Sequence, residues 1–429
     1  MKQGAPPVKR REIFGWAMFD FANSSYTTII VTVAYSIYFT KMLAPAASAD
    51  WWWGVAVAVS NAIVLLTAPV IGAIADGSGR KKLFLATTYL VCVAGTAALY
   101  FVLPGQLVLG ILLFVVSNVA FAFGENFAGA FLPEISTPEN IGKISGFGWG
   151  LGYFGGLGSL LLVLPLLSGG FDLDNLSNLR LTWVATAGFF LVAGLPTMVL
   201  LRERAERGPA RSLWGYSREG FARLRDTLVS LKHFSELARF LVVFIIYSSG
   251  LMAVIAYSAV YAERTIGFEA ADLTKMFIVL QISSAAGALL FGWIQDRLGA
   301  KPTVQLTLLL WIGVAVAAYL TTSKTTFLYV ALAAGLGIGS LQSASRAIVG
   351  LFSPPEKSGE FFGFWGLAQR AAYILGSVAF GAFSSISGSQ RIAILATGAF
   401  FVIGLVAMTW VSIERGRAAA AAWETPSHT

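Results

Sequence analysis

The sequence is short of charge. Only 12% of its 429 residues are Asp, Glu, Lys or Arg, while 56% are hydrophobic. Soluble globular domains carry about 25% charged residues, and surface-to-volume scaling demands a polar shell at any size. A water-soluble chain is therefore excluded, and the solvent is lipid. Cysteine is almost missing: Cys92 stands alone in an apolar stretch, which excludes an internal disulfide and a cysteine-based metal site. The two histidines, His233 and His428, lie in a polar stretch and in the tail, so no histidine metal cluster is expected. No Gly-x-x-x-x-Gly-Lys-Ser/Thr phosphate loop exists, which argues against an ATP-driven pump. No metal, no cofactor and no catalytic residue is expected. The net charge of +8 suggests membrane topology rather than nucleic acid, because of how it is distributed.

What the sequence has is long apolar runs. A helix needs about 20 mostly apolar residues to cross the hydrocarbon core. Twelve such segments lie near Ile13–Leu43, Trp52–Ala75, Leu83–Leu103, Leu107–Phe131, Ile144–Leu167 and Leu181–Leu201, then Leu237–Ala262, Leu273–Gln295, Thr303–Thr321, Thr326–Phe352, Phe361–Ile386 and Ile392–Ile413. The basic start leads into nearly 30 residues interrupted by Asp20 and Asn23, too long for a signal-peptide core, so it reads as a retained span. With the N-terminus in the cytoplasm, 21 Lys and Arg fall on inside segments and six on outside ones. Both termini are thus expected inside, with Trp51–Trp53 and Trp183 as anchors at the outer interface. The polar stretch 202–236 separates residues 1–201 from 237–413, leaving 414–429 as a cytoplasmic tail. Within it Phe221, Leu224, Leu228 and Leu231 recur at helical spacing among basic residues. That pattern predicts an amphipathic helix on the inner leaflet, either a strut coupling the halves or a passive tether.

The halves repeat at a period near 220. Gly72-x-x-x-Asp76-x-x-Gly79-Arg80-Lys81 recurs as Gly292-x-x-x-Asp296-x-x-Gly299-Ala300-Lys301, and Pro138-Glu139-x-x-Gly142-x-x-x-Gly146-Phe147 as Pro355-Glu356-x-x-Gly359-x-x-x-Gly363-Phe364. Two parallel repeats about an axis along the membrane normal are a transporter architecture, with substrate between them. The Asp loop resembles the signature between helices two and three of the major facilitator superfamily; Gly77 stands where an Arg often follows the Asp, whereas Arg297 keeps it. Within that superfamily, Phe19-Asp20-Phe21-Ala22-Asn23-Ser24 resembles the vacuolar amino-acid effluxer family known from autophagy. So do Leu132-Pro133-Glu134-Ile135 leading to Gly146-Phe147-Gly148-Trp149, and Gln342-Ser343-x-Ser345-Arg346 leading to Glu360-Phe361-Phe362-Gly363-Phe364. The resemblance implies an all-α membrane protein with twelve transmembrane helices in two pseudo-symmetric six-helix bundles. It also implies a cavity lined by spans one, four, seven and ten, with five and eleven close by.

Charge inside hydrocarbon costs at least about 2.5–3.5 kcal/mol, so each intramembrane ionisable residue is a functional candidate. Asp20, Glu125, Arg346 and Arg370 all lie roughly 9–15 Å in from the cytoplasmic end of their spans at 1.5 Å per residue. Three readings stand open. Asp20 and Glu125 are proton sites whose affinity changes with burial and with a nearby Arg; or Arg346 and Arg370 bind a substrate carboxylate or phosphate; or Asp20–Arg370 and Glu125–Arg346 are plain ion pairs. Asn23, Asn126, Gln342 and Tyr153 complete the candidate substrate and proton site. Gly72, Asp76, Gly79, Arg80, Gly292, Asp296 and Arg297 form the candidate cytoplasmic gate, the carboxylates meeting helix N-termini and Arg groups. The dense glycines of span five, from Gly146 to Gly158, predict close helix approach, for sliding or for packing alone.

The expectation is a monomeric secondary transporter in the bacterial inner membrane. It moves a small polar metabolite such as an amino acid, outward, coupled to protons, and takes no nucleic-acid partner. An organic-anion, sugar or drug transporter of the same fold is the alternative; a lipid translocase is the alternative of another class.

Overall fold

In the computed structural model, which describes residues 8–45, 48–204 and 234–423, the chain is all helical. The predicted amphipathic segment at 221–232 lies outside the described residues. The long helices are α1 Arg10–Ser25, α2 Ala49–Ser78, α3 Lys81–Ala98, α4 Leu107–Ala130, α5 Ile141–Leu167 and α6 Leu176–Leu200. They continue as α7 Ser235–Tyr261, α8 Ala270–Leu298, α9 Ala300–Leu320, α10 Lys324–Phe352, α11 Ser358–Ser387 and α12 Gln390–Ala407, with a short tail helix α13 Ile413–Ala421. Ten of the helices are long and apolar enough to cross a membrane, and the protein is a multi-pass membrane protein. The two long helices outside that set, α1 and α11, carry the polar residues Asp20, Asn23, Gln369 and Arg370 midway along. After Ser25, α1 widens into π-helical turns over Tyr26–Val33, the kind of irregularity found at functional sites.

Apolar residues cover the outside. Val108 is 80% exposed and Ile386 85%, positions that water would disfavour and lipid does not. Inside are two apolar clusters. One runs from Trp16 to Leu201 and takes in Ala347 from α10; the other runs from Phe234 to Val411 and takes in Ala130 from α4. The packing pairs repeat six helices on: α1 with α5 and α7 with α11, α2 with α4 and α8 with α10, α3 with α6 and α9 with α12. Contacts between the clusters follow the same rule, α2 with α11 and α8 with α5.

Glycine makes those close contacts possible. Along α5, Gly152 and Gly155 press on the backbone of α1 at Asp20 and Phe21, while Gly142 and Gly146 face Gly292 and Ala288 of α8. One helix thus fits between two neighbours because small residues occupy two of its faces. The aromatic anchors divide. Trp51 is 70% exposed, as expected at an interface, but Trp183 is fully buried. It meets Tyr35 edge-on at 5.3 Å and Tyr38 at 5.6 Å; the short α-helical turn Tyr35–Tyr38 covers it.

Candidate functional site

Two sets of polar contacts join the N-terminal and C-terminal parts of the chain. The first lies at the end of the molecule where α1 begins. Asp76, in the last turn of α2, accepts from the backbone N–H of Gly359 at 3.0 Å and of Glu360 at 2.9 Å, the open N-terminus of α11. Asp296, in the last turn of α8, accepts from Gly142 at 2.8 Å and Lys143 at 3.1 Å, the open N-terminus of α5. The first N–H groups of a helix have no partner of their own and carry a partial positive charge, so each carboxylate caps a helix of the opposite half. Gly72 and Gly292 let this happen: a Cβ on Gly292 would come within 2.6 Å of the Gly142 carbonyl, and one on Gly72 would strike Gly359. Gly79, at φ +61°, turns the chain after α2 in the left-handed conformation glycine allows.

Arginine is not the partner of these carboxylates. Arg80 is exposed, and Arg297 lies on the Trp293 ring, 3.7 Å from its centre. Lys81 takes the place instead. Its side chain is buried, ion-paired with Glu134, 3.8 Å from Asp76, and donates to Ser358 Oγ at 2.8 Å and Pro355 O at 3.2 Å. Sequence reasoning passed over Lys81 and Glu134, although both stand inside motifs it quoted. The equivalent Lys301 turns away to the carbonyls of Thr409 and Val411, so the two repeats are not copies in detail.

The second set is central. Arg346 of α10 donates from Nη1 to Asp20 Oδ2 of α1 at 2.6 Å, from Nη2 to Ser145 O at 2.8 Å and from Nε to Ser145 Oγ at 3.2 Å. The Trp16 and Trp149 rings lie 4.8 and 5.2 Å from its guanidinium carbon, distances suited to cation–π attraction. Gly148 leaves the space: a Cβ there would sit 2.5 Å from Asp20 Oδ2 and 2.7 Å from Arg346 Nη2. Glu125 of α4 faces Arg370 of α11, with Nη2 4.0 Å from Oε2 and both side chains partly open. The partners are therefore the reverse of the Asp20–Arg370 and Glu125–Arg346 pairs of the plain ion-pair reading. The reason is helix neighbourhood: α4 packs on α11, whereas Ser145 of α5 steers Arg346 toward α1.

Of the polar neighbours, Gln342 Nε2 reaches Tyr153 Oη at 3.4 Å, joining α10 to α5. Asn23 and Asn126 are buried, with Asn23 Oδ1 and Asn126 Nδ2 unpartnered among the described residues. Gln281 donates to the Tyr153 carbonyl at 3.4 Å and Asn118 to Ser60 Oγ at 2.7 Å, ordinary helix–helix bonds. Trp16, Ser145 and Gly148 complete the centre; Ser145 gave no sequence signal, being one serine in a span of small residues.

Known proteins agree with this architecture. The family model described as "Vacuole effluxer Atg22 like" matches residues 54–421. An uncharacterised MFS-type transporter of Bacillus subtilis (strain 168), YxiO, is 25% identical over 407 residues, 93% of this chain and 94% of that protein. Autophagy-related protein 22-1 of Neosartorya fischeri is 23% identical over 300 residues, 64% of this chain and 49% of the fungal one; the chain spans about half the length of that relative. Among solved structures, the proton:xylose symporter XylE superposes with a TM-score of 0.70 at 16% identity, over 96% of this chain and 99% of that one. The human organic anion transporter MFSD10 gives 0.72 at 12% identity, over 94% and 100%. Identities this low establish the fold and nothing finer.

Proposed function

The chain belongs to the Atg22-like vacuole effluxer family of major facilitator transporters, and from that premise we propose that it exports an amino acid or close analogue by proton-coupled alternating access. It is a transporter and not an enzyme. In this reading twelve spans form two six-helix halves, residues 1–201 and 237–413, joined by a linker at 202–236 and followed by a tail at 414–429. The two apolar clusters and the six-helix offset of the packing pairs support that division.

One observation carries the mechanism: the four central charges form two pairs, each joining an acid of the first half to an arginine of the second. A crevice that opens between the halves must part or rearrange those pairs, so protons and a charged substrate can each compete for them. The reciprocal caps made by Asp76 and Asp296 support a gate at the cytoplasmic face, closed in this conformation. Export follows the family's description. The Lys and Arg bias of 21 to six supports cytoplasmic termini, and the near full-length match to a Bacillus protein supports a bacterial plasma membrane.

Uptake of amino acids, sugars and organic anions into proteoliposomes, with and without a pH gradient, tests this. Amino acids are expected to accumulate only with the gradient, and Asp20→Asn or Glu125→Gln to abolish accumulation. Gradient-driven uptake unchanged in both variants would end the proton-coupled reading. Scrambling of labelled lipid in the same vesicles would replace it with lipid translocation.

A further inference from the structure

Two arginines reach the centre, and their situations differ. Arg346 is closely held: Asp20, the Ser145 hydroxyl and the Ser145 carbonyl take three of its five N–H groups, one at each nitrogen, and two tryptophan rings lie against it. Arg370 makes no hydrogen bond among the described residues. Its Nε is buried without a partner, and its Nη2 stops 4.0 Å from Glu125, beyond hydrogen-bond reach. The Glu125 carboxylate is equally unclaimed, since the same stretched contact is its one ion pair among the described residues.

Asn126 stands beside this pair. It is 6% exposed and its Nδ2 donor has no partner. It abuts α11 at Gly366, where a Cβ would come 2.5 Å from Oδ1 and 2.6 Å from Nδ2. Gly366 lies about one helical turn before Arg370, and its missing side chain lets the Asn126 amide pack directly on α11 there. Two unused donors, Asn126 Nδ2 and Arg370 Nε, and one unused carboxylate, Glu125, therefore meet where α4 faces α11.

The geometry points to Arg370, Asn126 and Glu125 as the receptor for both charges of an α-amino acid, with Arg346 a fixed strut. The substrate carboxylate takes the Arg370 fork and Asn126 Nδ2, and its ammonium takes Glu125. An anion without an ammonium would meet Glu125 as a like charge, and an amine without a carboxylate would meet Arg370. A zwitterion presents each with the opposite sign and replaces a stretched ion pair with two close contacts. The pair bridges α4 and α11, so loading changes what holds the halves together. This inference rests on the amino-acid reading above and gives it a site and an orientation.

Counterflow in proteoliposomes selects the standard amino acid that exchanges fastest. That amino acid, its deaminated carboxylate and its decarboxylated amine (for alanine, propionate and ethylamine) then compete for exchange. Glu125→Gln and Arg370→Gln are each expected to weaken the amino acid at least tenfold. Glu125→Gln strengthens the carboxylate several-fold, and Arg370→Gln strengthens the amine. Gly366→Ala, whose methyl group pushes the Asn126 amide aside and alters no charge, weakens the amino acid as well. Should either single variant fail to fold, the double variant Glu125→Gln with Arg370→Gln, which strands no charge, is expected to lose the preference for zwitterion over both single-charge analogues. Parallel shifts of all three compounds, or amino-acid affinity held within twofold, overturn the assignment while the transport reading stands. Exchange of no amino acid by the unaltered protein overturns both.

Discussion

A guanidinium deep in a bilayer is costly, and the cost falls as its charge and its donors find partners. Arg346, at 4% exposure, finds them in residues from α1 and α5. Removing one partner of a buried pair costs about 3–5 kcal/mol, whereas removing both is far milder. Asp20→Asn is therefore expected to lower the melting temperature in detergent markedly, and Asp20→Asn with Arg346→Gln to recover most of it. Equal melting of the single and double variants would show that the pair is not a structural bond. Gly148→Ala places a methyl group between Asp20 and Arg346. Proteoliposome exchange is expected to fall at least tenfold, because neither the paired ions nor the α1 and α5 backbones have room to move apart. The crossed pairing could not be read from the chain: position along a span gives depth, and four charges at one depth allow either set of partners.

At the scale of helices, the repeated motifs turn out to be each other's ligands. The Asp loop of one half caps the helix that begins at the second motif of the other half, in both directions. Loss of an N-cap costs about 0.5–2 kcal/mol. Asp76→Asn or Asp296→Asn is thus expected to shift the resting population toward the cytoplasm-open state. A cysteine replacing Ala347, buried at the seam between the two apolar clusters, should then react several-fold faster with thiol reagents. The background is low because Cys92, the sole native thiol, is buried. Lys81→Met, which strands Glu134 and Asp76, is expected to act more strongly than either Asp variant. An unchanged labelling rate in all three would remove the gate from this interface. The close approaches at Gly72 and Gly292 and the turn at Gly79 were legible because glycine recurs at fixed distances from Asp. Lys81 was not, because a lysine at the foot of a span reads first as positive-inside charge.

For the molecule as a whole, charge asymmetry makes a direct statement. A cysteine replacing Arg415, on the exposed tail helix α13, is expected to react with membrane-impermeant reagents only from the cytoplasmic side; reaction from outside would invert the topology. Hydropathy, glycine spacing and the doubled motifs were sufficient for an all-helical multi-pass membrane protein of the major facilitator kind, because a helix in lipid must satisfy its own backbone and needs about 20 apolar residues wherever it crosses. Those requirements are local, and a local pattern expresses them. Composition alone likewise pointed away from a water-soluble chain. Which charge meets which is a different kind of fact. It depends on neighbours more than 200 positions apart, such as Ser145 and Arg346, and on the absence of side chains at Gly148 and Gly366 that lets groups from different helices touch. Only the packed arrangement of helices sets those distances, and with them the difference between one arginine held on every side and another left open.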